Sequence, residues 1–265
     1  FGNSYKIIYS QIKKKNLIFI KTLKINDNSK SKLLSFSKLC KETSNVVQKY
    51  KPDLIIVYGD RGETLITTFV GVNFNVPIAH FQGGDLSGNI DEIFRHTISK
   101  MSNFHFVSNK NSKNNLIKMG EIKQNIFNVG ELHIDTIRKV KKIHLNKIKS
   151  YLNLKVLEKN KYVVFHYHPE TYSKVNDSQV VKSILKTLTK YNYLVICLYP
   201  CSDQGYKNIV NSINYSKKIF GKHNIFLFKN IESPIYINLL RNCRFFIGNS
   251  SSGIIESPYL KKAFI

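Results

Sequence analysis

The stretch "LIIVYGDRGET", Leu54 to Thr64, joins an uninterrupted apolar run to a glycine turn carrying two acids and an arginine. A continuous apolar run predicts a strand buried on both faces, as in a parallel sheet. Ligands of open parallel sheets bind beyond the carboxyl ends of the strands, where Asp60, Arg61 and Glu63 would lie. We therefore expect this turn to face a ligand.

Seven further apolar runs, each followed by a stretch with helical spacing, repeat this arrangement. They begin at residues 76, 104, 125, 162, 193, 225 and 245. Strand–helix alternation predicts an α/β protein with right-handed parallel crossovers. A lysine-rich segment between Val140 and Lys161 contains no convincing buried strand, so we place a domain boundary there and predict domains 1–145 and 146–265.

The composition excludes several classes of protein. The 265 residues are 42% hydrophobic and carry a net charge of +24, but only five cations are arginines and the lysines are scattered. Lysine, asparagine and isoleucine are all abundant, which indicates codon bias rather than a nucleic-acid partner. No apolar window approaches the roughly 20 residues of a membrane helix. We expect a cytoplasmic protein without a membrane partner, and four cysteines without paired spacing predict buried thiols rather than a metal site.

The stretch "GNSSSGIIESP", Gly248 to Pro258, has the residues of a phosphate-binding loop at the start of a helix. Backbone amides and serine hydroxyls can hold a diphosphate there, and Glu256 can accept hydrogen bonds from ribose hydroxyls. The alternative is an ordinary helix cap, for which one serine would suffice.

Acidic residues follow three strands of the first domain. In "HFQGGDLSGNIDEIFRH" (80–96), Asp91 and Arg95 share one helix face, and Glu92 and His96 share the adjoining one. A solvated, salt-bridged helix start is the alternative interpretation. Together the acids are predicted to converge at one sheet edge, where crowding suits them to proton transfer from carbon. They are Asp60, Glu63, Asp85, Asp91, Glu92 and Asp135.

His168 in "FHYHPET" ends a strand of the second domain, on the predicted edge of the Ser/Gly loop. We predict that it donates to a phosphate oxygen, although a lone histidine is more often a packing residue. His166 points to the other side of the strand and is assigned to the core. If the second domain binds a diphosphate and the first domain carries the acids, the sugar is expected to lie between the two domains.

Six stretches together resemble the hydrolysing UDP-N-acetylglucosamine 2-epimerases of the sialic acid pathway. They are "GDRGETL", "HFQGGDLSGNIDEIFRHTISKMSNFHF", "VGELHIDTI", "FHYHPET", "YPCSDQG" and "IGNSSSGIIESP". The resemblance implies a glycosyltransferase-B-type fold, with two Rossmann-like domains facing across a cleft. It also implies no metal, no redox cofactor and a homodimer or homotetramer.

The resemblance implies that UDP is eliminated as the C2 proton leaves, and that water then adds to the glycal to release N-acetylmannosamine. Asp60 and Asp91 match catalytic acids of the family, and Glu92 and Asp135 match further site carboxylates. The residues that match contacts to the UDP-sugar are Arg61, His168, Ser250, Ser251 and Glu256.

The chain departs from the family pattern at several points. Gln82 stands in the substrate site where several members have a catalytic glutamate, so proton transfer there requires Asp85 or a water. Cys201 replaces an asparagine that contacts UDP. The family's first strand would precede Phe1, and the apolar run that ends the chain, 263–265, is expected to begin a closing strand. A chain of these residues alone is expected to bind nucleotide weakly and show little catalysis.

Several alternative functions stay open. The same chemistry on a diacetamido-bacillosamine sugar linked to UDP or GDP fits these motifs equally. A retaining glycosyltransferase would need no clustered acids, and a non-catalytic nucleotide-sugar sensor is favoured by Gln82. A non-hydrolysing epimerase is disfavoured, because "HPET" replaces an arginine-rich segment of that branch.

Overall fold

The computed structural model describes residues 8–9, 12–22, 28–88, 90–170, 176–201, 205–221 and 223–265. Strands and helices alternate along these ranges, as the sequence predicts. The strands are β1 (Ile55–Tyr58), β2 (Ile78–Phe81), β3 (Phe104–Val107), β4 (Ile126–Asn128), β5 (Tyr162–His166), β6 (Leu194–Leu198), β7 (Ile225–Phe228) and β8 (Phe246–Gly248).

The helices follow the strands in the same order. They are α1 (Ser29–Tyr50), α2 (Gly62–Asn73), α3 (Ile90–Lys100), α4 (Lys110–Lys118), α5 (Leu132–Lys139), α6 (Leu145–Tyr151), α7 (Asp177–Lys190), α8 (Tyr206–Phe220), α9 (Ser233–Asn242) and α10 (Ser252–Tyr259). Asparagine side chains fix several of the helix starts. Asn28 and Asn109 accept from the backbone N–H three residues later, at 2.8 and 2.9 Å, and so satisfy amides that the first helical turn leaves unpaired.

Strands β1 to β4 form one parallel sheet in the order of the sequence. Ile55 pairs with Ile78, His80 with His105, and the register continues to β4. All four strands therefore end at the same edge of this sheet. The turns that carry Asp60 and Gln82 lie next to each other there, because β1 and β2 are neighbours.

Strands β5 to β8 form a second parallel sheet, in the order β7-β6-β5-β8. The chain moves outward from β5 through β6 to β7 and then returns to the opposite side of β5 with β8. The loops after β5 and β8 therefore leave in opposite directions, which makes the β5/β8 pair the switch point at which such sheets bind ligands. Beyond β8, Phe264 forms a parallel bridge with Phe246, as the apolar end of the chain predicts.

Burial confirms the strand prediction for the two central strands of the second sheet and modifies it for the edge strand β1 of the first. Tyr162 to Phe165 of β5 are all buried, as are Val195 to Leu198 of β6. In β1, Val57 is buried but Ile56 is 65% exposed. The apolar run predicted burial on both faces; the difference arises because β1 is an edge strand, paired with β2 alone among the described residues.

The chain packs into two compact units. One comprises Asn16–Leu132 and contains the first sheet; the other contains His133–Ile265, with the described residues before Asn16. The predicted α/β class with two Rossmann-like parallel sheets is confirmed. The predicted boundary between residues 145 and 146 stays a prediction. No helix in the described ranges has the length and apolarity needed to cross a membrane.

Candidate functional site

Asp60 is held at the end of β1 by an arginine from α3. The Arg95 guanidinium donates to Asp60 Oδ2 through one nitrogen and to the Asp85 carbonyl oxygen, at 2.8 Å, through another. The Arg95 side chain is 11% exposed and that of Asp60 is 23% exposed, so the ion pair is largely shielded from water. Arg95 thus fixes the turn after β1 to the loop after β2.

Asp91 and Glu92 occupy the first turn of α3 but have different surroundings. Asp91 precedes Arg95 by four residues, so it shares the helix face that meets Asp60. Glu92 accepts from the backbone N–H groups of Ser87 and Gly88, the latter at 2.6 Å. The hydrogen bond from Gly88, followed by that from Ser87, lowers the pKa of Glu92. Glu92 therefore anchors the loop before its own helix, which suits a carboxylate that stays ionised.

Gln82 lies at the end of β2 with a left-handed backbone, φ 65°. Its Nε2 donates to Glu131 Oε2 at 2.7 Å, and Glu131 follows β4. The Tyr58 hydroxyl donates to Glu131 Oε1 at 3.3 Å. Burial, followed by the charge of Glu131, raises the Tyr58 pKa, so this phenol stays protonated. Side chains from the ends of β1 and β2 thus meet on one carboxylate.

The remaining predicted residues of the first unit are more dispersed. Asp85 accepts from the hydroxyls of Ser112 and, at 3.4 Å, Ser108, so its carboxylate is tied to the start of α4. Arg61 and Glu63 are exposed at the start of α2, where Arg61 occupies the N-cap position.

Asp135 is assigned to the other compact unit. It belongs to α5 in the second unit, with its side chain 64% exposed and 3.7 Å from Arg138. The sequence places Asp135 on the edge of the first sheet, but α5 instead packs with the second unit, where Arg138 donates to the Tyr259 hydroxyl. Its role in the reaction stays a prediction.

In the second unit, His168 has a defined orientation and tautomer. The backbone N–H of Cys201 donates to His168 Nδ1 at 3.0 Å, with the Cys201 thiol at the same distance. Because Nδ1 accepts, the neutral ring carries its proton on Nε2, where it can donate to a phosphate oxygen. His166, two residues earlier, has its pKa lowered to about 3 by burial and then by His168, and it donates to the Tyr199 carbonyl at 3.1 Å.

The Ser/Gly loop follows β8 at the switch point. Gly248 has φ 144°, and a Cβ there would lie 1.9 Å from the His166 carbonyl oxygen, so only glycine fits beside β5. Ser250 is buried and Ser251 is exposed at the start of α10. The Ser251 side chain makes no capping hydrogen bond, so the ordinary helix cap considered above is not formed by this residue.

Glu256 is buried on α10, 5% exposed. His133 Nε2 lies 2.5 Å from Glu256 Oε1, while Oε2 makes no hydrogen bond among the described residues. The buried Tyr236 hydroxyl lies near this carboxylate, since burial and then Glu256 raise the pKa of Tyr236. A buried carboxylate oxygen without a donor is costly unless a ligand supplies one. This arrangement fits the predicted acceptor for ribose hydroxyls.

Sequence reasoning missed three partners of the predicted residues: Arg95 as the counter-ion of Asp60, Glu131 as the acceptor for Gln82, and His133 on Glu256. Glu131 lies three residues beyond the end of β4, so the rule that strand ends carry site residues could have identified it. The pairs Asp60–Arg95 and His133–Glu256 have no signal in the local sequence. Among the described residues, no group of three or more histidine, cysteine or acidic side chains is arranged to hold a metal ion.

Comparisons with known proteins identify the family of the chain. Residues 5–265 match the family described as "UDP-N-acetylglucosamine 2-epimerase". A Campylobacter jejuni protein named "GDP/UDP-N,N'-diacetylbacillosamine 2-epimerase (hydrolyzing)" is 36% identical, over 98% of this chain and 67% of its own length. A Legionella pneumophila protein named "UDP-N,N'-diacetylbacillosamine 2-epimerase (hydrolyzing)" is 33% identical, over 81% of this chain and 55% of its own length.

Among solved structures, the Methanocaldococcus jannaschii UDP-GlcNAc 2-epimerase in complex with UDP-GlcNAc and UDP superimposes with a TM-score of 0.79. The match covers 100% of this chain and 73% of that one, at 21% sequence identity. This likeness shows the fold. The chain spans 55% to 67% of the lengths of the two relatives above.

Proposed function

The chain belongs to the UDP-N-acetylglucosamine 2-epimerase family, and we propose that it is a hydrolysing 2-epimerase of nucleotide-linked 2-acetamido sugars. The observation that carries this proposal is the ion pair between Asp60, at the end of β1, and Arg95 of α3. Asp91 lies on the same face of α3 as Arg95. Two carboxylates near one another, one of them held by a fixed cation, suit a reaction that removes and later returns a proton.

The proposed reaction has two steps. A carboxylate takes the proton from C2 while the C1–O bond breaks, and the nucleoside diphosphate leaves with the bonding electron pair to give a glycal. Water then adds across the double bond, with hydroxyl at C1 and a proton at C2 from the opposite face. The products are the free 2-epimeric sugar and the nucleoside diphosphate.

The second unit supplies the nucleotide-binding groups in this proposal. The proton on His168 Nε2 and the backbone amides at the start of α10 favour phosphate oxygens. The unpartnered Oε2 of Glu256 accepts from a ribose hydroxyl. Ser250, Ser251 and Arg61 stay predicted contacts to the nucleotide.

For the sugar, we propose N,N'-diacetylbacillosamine on UDP or GDP as the first candidate, because the relatives from Campylobacter and Legionella carry that name. UDP-N-acetylglucosamine, which would give N-acetylmannosamine, is the second candidate, because the family description names it. The names of these relatives thus favour the sugar that the sequence analysis gave as the alternative. A homodimer or homotetramer stays a prediction.

The test is to incubate the protein, in its natural length, with each nucleotide sugar in deuterium oxide and to follow the products by proton NMR. We expect nucleoside diphosphate and a 2-epimeric sugar that carries deuterium at C2. Asp60→Asn and Asp91→Asn should each lower kcat by at least about 100-fold. Asp53→Asn changes an exposed carboxylate just before β1 and serves as the matched control.

Two results would contradict the proposal. Release of nucleotide without deuterium at C2 would indicate hydrolysis or glycosyl transfer instead of elimination. Binding of the nucleotide sugars without any turnover would favour a sensor.

A further inference from the structure

The surroundings of the Gln82 side chain distinguish the nitrogen of its amide from the oxygen. A carboxylate can only accept, so the contact of 2.7 Å with Glu131 must be made by Nε2. The amide oxygen then points to the turn after β1, where it lies 3.9 Å from the position that a Cβ on Gly59 would occupy. Gln82 thus presents an acceptor beside the residue that precedes Asp60.

Glu131 fixes this arrangement from two sides. Its Oε2 accepts from Gln82 and its Oε1 accepts from Tyr58, so both oxygens are engaged by side chains from neighbouring strands. We call Tyr58, Gln82 and Glu131 the Glu131 cluster. Gln82 also has a left-handed backbone, which is uncommon for a residue other than glycine and is maintained where surrounding contacts require it.

The acids around this cluster are committed to other partners. Asp60 pairs with Arg95, Glu92 accepts from backbone amides, and the Asp85 carboxylate accepts from serine hydroxyls. A carboxamide stays neutral near pH 7 and neither takes up nor gives up a proton in catalysis, so Gln82 cannot act as a base. It can, however, accept a hydrogen bond from a donor on the substrate.

We propose that Glu131 is a positioning residue, which orients the Gln82 amide so that its oxygen accepts from an acetamido N–H of the sugar next to Asp60. This inference rests on the proposed function. It makes Gln82 a residue that recognises the acetamido group and holds the sugar for Asp60, while the proton moves through other groups. A sugar with a hydroxyl in place of the acetamido group has no such N–H and cannot make this hydrogen bond to Gln82.

The first test is a set of swaps at the two positions. In Glu131→Gln, the side chain at position 131 can donate as well as accept, so it no longer selects one orientation of the Gln82 amide, and we expect kcat/KM to fall about 10- to 100-fold. In Gln82→Glu, two carboxylates meet, which raises the pKa of one of them. The pH–rate profile of that variant should gain an ionisation that the native protein lacks.

The double variant Gln82→Glu/Glu131→Gln distinguishes positioning from a general role in folding. An amide at position 131 donates to a carboxylate at position 82, whose second oxygen still faces the sugar as an acceptor. We expect kcat/KM at least about tenfold above that of Glu131→Gln, and loss of the extra ionisation. Glu42→Gln on α1 is the matched control. Native-like kcat/KM in Glu131→Gln, or a double variant no better than that single variant, would overturn the proposal.

A second measurement is independent of turnover. The side-chain amide resonances of Gln82, assigned with Gln82→Ala, should differ between the native protein and Glu131→Gln but stay in place in Glu42→Gln, because Nε2 contacts the side chain at position 131. Equal resonances in the native protein and Glu131→Gln would overturn the contact itself. A protein whose Gln82 resonances depend on position 131 but that turns over no nucleotide sugar would instead overturn the proposed function, and with it the role of Gln82.

Discussion

Asn249 accepts from the backbone N–H of His168 at 2.7 Å and donates to the His168 carbonyl oxygen at 2.9 Å. One side chain therefore joins the loop after β8 to the loop after β5, on the two sides of the switch point. This reciprocal pair fixes the position of His168 relative to the Ser/Gly loop.

Asn249→Ala removes both hydrogen bonds and should weaken binding of UDP about 10- to 30-fold, since each bond contributes on the order of 1 kcal/mol. Isothermal titration calorimetry measures this change. Asn214→Ala, at an exposed position of α8, is the matched control. Equal affinity for native protein and Asn249→Ala would show that the loops keep their arrangement without Asn249.

Glu256 provides a test of ribose recognition. We expect the native protein to prefer UDP over 2′,3′-dideoxy-UDP by about 10- to 100-fold, because a hydroxyl donating to a buried carboxylate is a strong hydrogen bond. Glu256→Gln keeps the shape of the side chain but removes its charge, so the preference for UDP over 2′,3′-dideoxy-UDP should fall about tenfold. Binding competition measures both ratios. If Glu256→Gln left the ratio of the two affinities unchanged, Glu256 would not contact the ribose, and its role would be structural, through its contact with His133.

Two buried histidines predict a loss of stability in acid. Burial lowers the pKa of His80 to about 4, and burial followed by His168 lowers that of His166 to about 3. Both rings stay neutral in the folded protein, whereas the unfolded chain takes up protons below about pH 6.5. Stability is therefore complete above pH 6.5 and decreases as the pH falls toward 4.

Urea unfolding at pH 7 and pH 5 measures this effect. We expect a loss on the order of 2 kcal/mol for each histidine, in the unit that contains it. His80→Gln should be less stable at pH 7, because His80 bonds Gly59 and Ser99 through its two ring nitrogens, but its stability should depend less on pH. If the stability of the native protein and of His80→Gln depended equally on pH, His80 would not be a source of the loss in acid.

Gly248 and Gly120 both have positive φ but differ in their surroundings. A Cβ at Gly248 would overlap the backbone of β5, whereas at Gly120 no atom lies within 4 Å. Gly120→Ala should cost about 1 kcal/mol of backbone strain, while Gly248→Ala should cost several times more or prevent folding of the second unit. Thermal unfolding compares the two. Similar melting temperatures would mean that β8 can shift away from β5.

The fold could be read largely from the sequence, because each apolar run in a parallel sheet is long enough to be recognised alone. The exception, the exposed Ile56, depends on which strands flank β1, and this is a tertiary property. The strand-end rule also pointed to Asp60 and His168, which lie two residues beyond the ends of β1 and β5. These predictions needed only local pattern.

The pairing within the site could not be predicted in the same way. Arg95 meets Asp60 from 35 residues away, and Glu131 meets Gln82 from 49 residues away, through side chains whose directions depend on helix and loop packing. Glu92 shows the opposite case. Its hydrogen bonds from Ser87 and Gly88 are local, because these residues precede it by only four or five positions.

The strand order β7-β6-β5-β8 also affects how the second unit acquires its ligand site. β5 can pair with β6 early, because the two are close in sequence, but the contact between His168 and Asn249 closes a loop of 81 residues. Contacts of such long range form late in folding. During synthesis, the β5/β8 pair can assemble only after β8 has left the ribosome. Nucleotide binding by this unit would thus report completed folding, and would favour the fully folded chain over its partly folded precursors.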